Sequence, residues 1–312
     1  MALPIYASPL ERAWHYAYRV ICAAIFIFLV APILIVIPLS FNAEPYFTFT
    51  QKMLSFDPTG YSLRWYDSLL TDGMVTPETV RGGGWWQDAW ANSTWIRAAK
   101  NSLIIGFWAT ILATFLGTLA ALGLSRPEMP YRRIIMAILI SPMIVPIIII
   151  ATGLFFFYSS PCGMLGFDCG RLTATYAGII MAHATLGIPF VIITVTATLT
   201  GFDQSLIRAA ASLGANPRVT FFKVIMPLIL PGIISGALFA FVTSFDEVVA
   251  VLFIAGPEQQ TIPRQMWNGI REAISPAILA VATILVIVSI ALLATVELLR
   301  RRSERLRGVS PG

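Results

Sequence analysis

An all-α integral membrane protein with six transmembrane helices is the fold class this sequence predicts, and three observations predict it. Apolar residues make up 57% of the 312 and charged residues only 12%, whereas a soluble domain carries about 25% charge. Six apolar runs recur along the chain, at 20–41, 102–124, 134–157, 176–200, 232–255 and 277–299. Each exceeds the ~20 helical residues that cross a hydrocarbon core, and a helix satisfies its own backbone polar groups in lipid. The Lys and Arg residues concentrate in short segments between alternate runs, which places both termini and the stretch 203–232 on the cytoplasmic side. That bias accounts for the net charge of +5, and nucleic-acid binding is not needed to explain it.

Taken in order, residues 1–19, with Arg12, Trp14, His15 and Arg19, read as a cytoplasmic or interfacial N-terminus. The first run is too long for the apolar part of a cleaved signal, and Ser40-Phe41-Asn42-Ala43 is a poor cleavage site. Residues 20–41 are therefore predicted to stay as span one, with Pro32 and Pro38 inviting a kink. Residues 42–101 form the largest outer, periplasmic segment. It predicts one helix in YSLRWYDSLL, capped by Ser62, and another over WWQDAWANSTWIRAAKNS, joined by a flexible link that ends in Gly82-Gly83-Gly84. Trp65, Trp85, Trp86, Trp90 and Trp95 gather here, as an anchor at the lipid–water boundary or as a landing surface for an external partner.

The next spans carry helix breakers at membrane depth, Pro142 and Pro146 in the third and Gly187 and Pro189 in the fourth. Such residues suit bent helices around a cavity or gate, or kinks for packing alone. The outer loop PCGMLGFDCG holds Cys162 and Cys169, which an oxidising compartment could close into a disulfide or leave as thiols. With two His in the chain and Cys22 inside a span, no zinc pattern is present and no metal is expected.

His183, in the middle of the fourth span, is either a pathway residue or a tie between helices. Asp246-Glu247, inside FVTSFDEVVAVLF, is the sharpest intramembrane signal. Asp246 lies about 13 Å from the outer end of its run at ~1.5 Å per residue, where a carboxylate must face water, a cation or a partner. If the run is one helix, the two side chains diverge by about 100°, so one could line a pathway while the other pairs within an assembly. Phe241, Phe245 and Phe253 are placed to add cation–π contacts. The loop 256–276 predicts a helix begun by Pro263, with Met266, Trp267, Ile270 and Ile274 on one face. The basic tail, 301–312, anchors the C-terminus.

The stretch DQSLIRAAASLGANPRVTFFKVIMPLILPG reads as two short helices outside the spans. Asp203 can cap the first, Leu206, Ala210 and Leu213 share a face, and Gly214 ends it in a left-handed turn. Asn216-Pro217 restarts a helix, which Pro227 and Pro231 are expected to stop. The small-residue face suits docking, and an ordinary loop has the same spacing.

These residues resemble the EAA loop of ABC-importer permeases, a pattern of Glu-Ala-Ala, three residues, Gly, and a later Leu-Pro. Here Arg208-Ala209-Ala210 precedes Gly214, and Met226-Pro227 stands for Leu-Pro. NSLIIG, HATLGIPFVI, SFDEVVAVLF and TIPRQMWNGIREAISP extend the resemblance over roughly 60–300, toward the membrane subunits of spermidine/putrescine-type importers. The resemblance implies a type I importer permease fold in a bacterial inner membrane, with 102–300 as the core permease domain and 203–231 as its cytoplasmic coupling loop. It implies a periplasmic binding protein, a second and related permease, and two ATPase subunits that hold the ATP and magnesium. The chain itself has no G-x-x-x-x-G-K-[ST] phosphate loop, so no cofactor of its own is expected. The expected role is a non-enzymatic pathway for a small cationic solute, most simply putrescine or spermidine, through Asp246, Glu247, Phe245 and His183. Coupling would fall to Arg208, Ala209, Ala210, Gly214, Pro217 and Pro227. An importer for an opine, an iron chelate or an organophosphonate is the alternative. A membrane enzyme or a channel fits less well, for want of a catalytic set and because a docking module is present. Arg208 in place of Glu reverses the charge offered to an ATPase, and 71–88 is longer than the family pattern.

Overall fold

In a computed structural model, the structure describes residues 8–126, 128–161, 170–200, 205–272 and 275–306. The chain divides into two compact units, Met1–Pro77 with Gly269–Gly312, and Glu78–Asn268. The first unit opens with α1 (Pro9–Leu39), started by a reciprocal cap: Ser8 Oγ accepts from the Glu11 amide and Glu11 Oε2 from the Ser8 amide. The helix passes Pro32 and Pro38, so the N-terminal segment and the first run make one continuous helix. Asn42, fully buried, then orders the next turn by donating to the carbonyls of Tyr46 and Thr48 at 3.0 Å each. After the short α2 (Gln51–Leu54), α3 (Arg64–Thr71) is tied back to the end of α1 by a 2.7 Å contact between Tyr66 Oη and Ser40 Oγ. Ser62 accepts from the Arg64 amide, yet the helix itself begins at Arg64.

The second unit begins with α4 (Gly83–Asn92) and α5 (Thr94–Leu124). The sequence predicts one helix across 85–102. Ser93 divides it, leaving helical geometry to end α4 and accepting from the Ile96 amide to start α5. The predicted third span is likewise two helices, α6 (Arg132–Ile144) and α7 (Ile147–Ser159), bent by 103°. Pro146 forces the residue before it out of helical geometry, and Val145 is extended at φ −70°, ψ 136°.

There follow α8 (Tyr176–Thr200), α9 (Ser205–Ser212), α10 (Pro217–Thr220), a π-helical turn over Phe221–Ile225, and α11 (Met226–Phe245). Pro227 and Pro231 do not stop this helix as the sequence suggests, and helix continues from Pro217 to Phe245. Pro227 falls in the first turn of α11, directly after the wide turn, in which the Met226 amide reaches the Phe221 carbonyl. The extra residue in that turn loosens the backbone that a proline ring would otherwise strike. The run predicted over 232–255 is broken too: α11 ends at Phe245 and α12 (Val249–Ile254) follows. Then come α13 (Ile262–Glu272), whose bounds straddle the division between units, and α14 (Ala277–Leu306), which belongs to the first unit and packs on α1 and α3.

The core of the second unit is the packing of α5, α8 and α11. Ala109, Ala113 and Ala121 meet Ala184, Val191, Val195, Ile229 and Ala240, all buried. Small residues let the backbones approach, which is how helices associate where lipid is as apolar as the side chains. A Cβ added at Gly117 would lie 2.6 Å from Val191 Cβ, and one at Gly236 would lie 2.8 Å from Val191 Cα. Among the described residues, α1, α5, α8 and the helix Pro217–Phe245 are long and apolar enough to cross a membrane, and the bent α6–α7 pair would make a fifth crossing. In α14 the apolar part is Ala277–Ala291.

Candidate functional site

Among the breaks from regular helix in the second unit, two hold the site residues singled out by sequence. The first is the break between α11 and α12. Asp246 ends α11, its amide donating to the Val242 carbonyl at 3.1 Å, and its side chain is exposed. Glu247 is only 8% exposed, and its Oε1 accepts from the Ala250 amide at 2.9 Å. The start of a helix leaves amides without partners, and a carboxylate there also opposes the positive end of the helix dipole. The two carboxylates are therefore not neighbours on one helix, as a continuous run would require. One is turned out at a helix end and the other is turned in as a cap.

His183 is 1% exposed on α8, and its Nδ1 lies 2.8 Å from Ser244 Oγ on α11. Its Nε2 is enclosed with no hydrogen-bond partner among the described residues. Phe245 stacks on Phe241 at 5.7 Å and 25°, and Phe241 in turn faces Gly106 of α5. Phe253 lies beyond the break, on α12. The structure thus gathers His183, Phe245, Asp246 and Glu247 around one break through Ser244. Discontinuous helices at such depth leave polar groups and helix ends free for a ligand.

Three residues that the sequence reading passed over frame this break. Arg264, in the first turn of α13, donates from Nη1 to the carbonyls of Val251 at 3.0 Å and Ala255 at 2.8 Å, at the C-terminal end of α12. Burial lowers its pKa from the ordinary arginine value, and a guanidinium remains charged at neutral pH all the same. Asn101 of α5 donates to the Glu258 and Gln260 carbonyls at 2.8 and 2.9 Å and accepts from Tyr176 Oη at 2.7 Å. Ser102 Oγ accepts from the Ile262 amide at 2.9 Å. The one local signal was a basic residue directly after Pro263 in an otherwise polar turn.

The second place is the loop between α8 and α11. Asp203 lies outside the described residues, as do Cys162, Cys169 and Ile274. The end of α9 closes as the sequence predicts. Gly214 takes φ +79°, its amide donates to Ala211, and the Ala215 amide reaches back to Ala210. That pair of bonds uses up carbonyls that the helix end leaves open. Asn216 Oδ1 then accepts from the Val219 amide at 2.8 Å, with Pro217 at the first helical position. Arg208 and Ala209 are exposed and Ala210 is buried, while Leu213 stands 88% exposed. The predicted single face is thus divided between a buried and an outward side. An apolar groove of about 580 Å³ lies close by, lined by Phe115 and Leu119 of α5 and by Phe221, Phe222 and Met226, and among the described residues no charged side chain lines it.

An all-helical chain with long apolar helices, broken spans and a helix–glycine–helix loop is built as the membrane subunit of a solute transport system. Residues 113–305 match the family of binding-protein-dependent transport system inner membrane components, and the chain belongs to that family. It is 29% identical to the spermidine/putrescine transport system permease protein PotC of Haemophilus influenzae, over 90% of this chain and 95% of that one. It is 30% identical to the putrescine transport system permease protein PotI of Escherichia coli K12, over 98% and 97%. It is also 30% identical to the sulfate transport system permease protein CysT of Salmonella typhimurium, over 70% and 83%. In fold it is similar to a chain of a bacterial ABC transporter involved in the import of the acidic polysaccharide alginate, with a TM-score of 0.63, 16% identity, and 96% and 99% of the two chains covered. The chain is a multi-pass ABC-importer permease, a transport subunit and not an enzyme. Membership implies an ATPase and a solute-binding protein as partners in general.

Proposed function

We propose that the chain is one of two permease subunits of an importer that carries a small polycation, putrescine or spermidine, through the α11–α12 break. The observation that carries this is Asp246, an exposed carboxylate at a helix end, beside the buried carboxylate of Glu247. A polyamine needs fixed negative charge along its path, and an exposed carboxylate at a helix break offers it without the full burial penalty. The likeness to PotC and PotI over nine-tenths or more of the chain points to the same solute class. The likeness to CysT favours a second reading, an oxyanion solute. Two carboxylates at the break speak against an anion there.

In this reading the chain crosses a bacterial inner membrane six times with both termini inside, α6–α7 counting as one bent crossing and α14 as the last. A binding protein delivers the solute from outside. Two ATPase subunits take up the α9–α10 loop of this chain and of a second, related permease, and they hold the ATP and magnesium. Ala209, Gly214 and Pro217 shape the docking end of that loop, and Arg208 offers a cation where the family pattern offers an acid. Asp246 meets the solute. His183 holds α8 to α11 through Ser244.

Uptake of labelled putrescine and spermidine by cells carrying Asp246→Asn tests this. Uptake is expected to fall at least tenfold with membrane abundance unchanged. Undiminished uptake would remove the break as the solute pathway, and uptake of sulfate but of neither amine through the unaltered chain would remove the polyamine assignment.

A further inference from the structure

The α12 half-helix is only six residues long, Val249–Ile254, and cannot hold its own shape, since isolated helices of that length are unstable. It packs on α7, itself the second half of a broken helix. Its two ends are held by side chains of opposite charge. Glu247 serves the amide end, through Ala250, and Arg264 serves the carbonyl end, through Val251 and Ala255. An anion at the start and a cation at the end is the arrangement that a helix dipole favours.

Arg264 is half-buried and has no carboxylate within ion-pair distance among the described residues. Its Nε is enclosed without an acceptor among the described residues, and Nη1 alone serves both α12 carbonyls. The segment that presents Arg264 is itself pinned to α5, by Asn101 on Glu258 and Gln260 and by Ser102 on Ile262. Hydrogen bonds and short backbone links therefore connect α5 through 258–262 to Arg264, then α12, and through Glu247 the break at Asp246.

We propose that Arg264 is a positioning residue for transport, fixing α12 from its carbonyl end so that the Asp246–Glu247 break keeps its shape. Arg264 does not touch solute. It acts through α12, and its place in transport rests on the reading of the break as the solute pathway.

The test uses the assembled importer in lipid nanodiscs, with Arg264→Gln and Arg264→Lys, and reads hydrogen–deuterium exchange at the amides of 249–255 beside polyamine uptake. Arg264→Gln is expected to raise exchange over 249–255 about tenfold, to leave α5 and α8 unchanged, and to lower uptake about tenfold with ATPase stoichiometry intact. A lysine keeps the charge and has donors for both carbonyls that Nη1 serves, but on a flexible stem without the rigid guanidinium plane that aims Nη1. Arg264→Lys should therefore fall between the two, and it carries the test if the glutamine variant fails to assemble. Exchange at 249–255 that stays at the wild-type rate in either assembled variant would overturn the role. If exchange rises while both Arg264→Gln and Asp246→Asn transport normally, the break is not the pathway, and the role in transport falls with it.

Discussion

The His183–Ser244 contact offers a bond whose worth can be measured directly. It joins α8 to α11 at 2.8 Å, with the ring 1% and the serine 5% exposed, two residues before Asp246. A neutral hydrogen bond contributes about 0.5–1.5 kcal/mol net, and side-chain bonds between membrane helices average ~0.6 and reach ~1.7 kcal/mol. Removing one partner also leaves the other buried and unpaired, which costs about 1–3 kcal/mol. His183→Leu and Ser244→Ala should therefore each destabilise by about 1–3 kcal/mol. The double variant should lose the bond only once, falling short of the sum by ~0.6–1.5 kcal/mol. His183→Asn keeps a polar group where Nδ1 stands and should recover more than half of the loss. Reversible unfolding of the purified subunit in mild detergent, run as a double-mutant cycle, reads these differences. Strict additivity of the two single losses would refute the bond as a source of stability.

Two further outcomes follow from backbone geometry. Gly214 sits at φ +79°, so Gly214→Val should strain the end of α9 by about 1–2 kcal/mol. ATPase co-purification is then expected to fall several-fold at constant membrane abundance, and normal association would count against docking by this loop. Gly117→Ala would place a Cβ 2.6 Å from Val191 Cβ and should destabilise by about 1–3 kcal/mol, whereas Gly153→Ala meets nothing within 4 Å and should be near neutral. Equal melting temperatures for those two variants would show that α5 and α8 are packed less closely than described.

What could be read from sequence was what neighbours in the chain decide. Gly214, Asn216 and Pro217 set a helix end and a helix start within four residues, and each does so through its own backbone or side chain. The apolar runs also announced the helices. The breaks within those runs were hidden, because Asp246-Glu247 is flanked on both sides by apolar residues that together have the length of one span, while the hydrogen bonding is interrupted there. Pro146 was visible as a breaker, but the 103° turn it permits depends on what α7 packs against. Pro227 and Pro231 misled because a proline's effect depends on the turn before it. The position of Arg264 after Pro263 was visible, but its acceptors were not, since they lie 9 and 13 residues earlier and meet it only after the chain has reversed.

The π turn at Phe221–Ile225 has a mechanical consequence. One residue beyond the α-helical count rotates everything after it by about 100° relative to an unbroken helix. The side of α11 that sets Gly232 and Gly236 against Thr194 and Thr198 of α8 takes its direction, relative to α10, from that turn. Deleting a single residue from 221–225 would spin α11 on its axis and turn those glycines away from α8. The turn works as a phase adjuster between the loop and the long helix, so that the number of residues in it matters more than which residues they are.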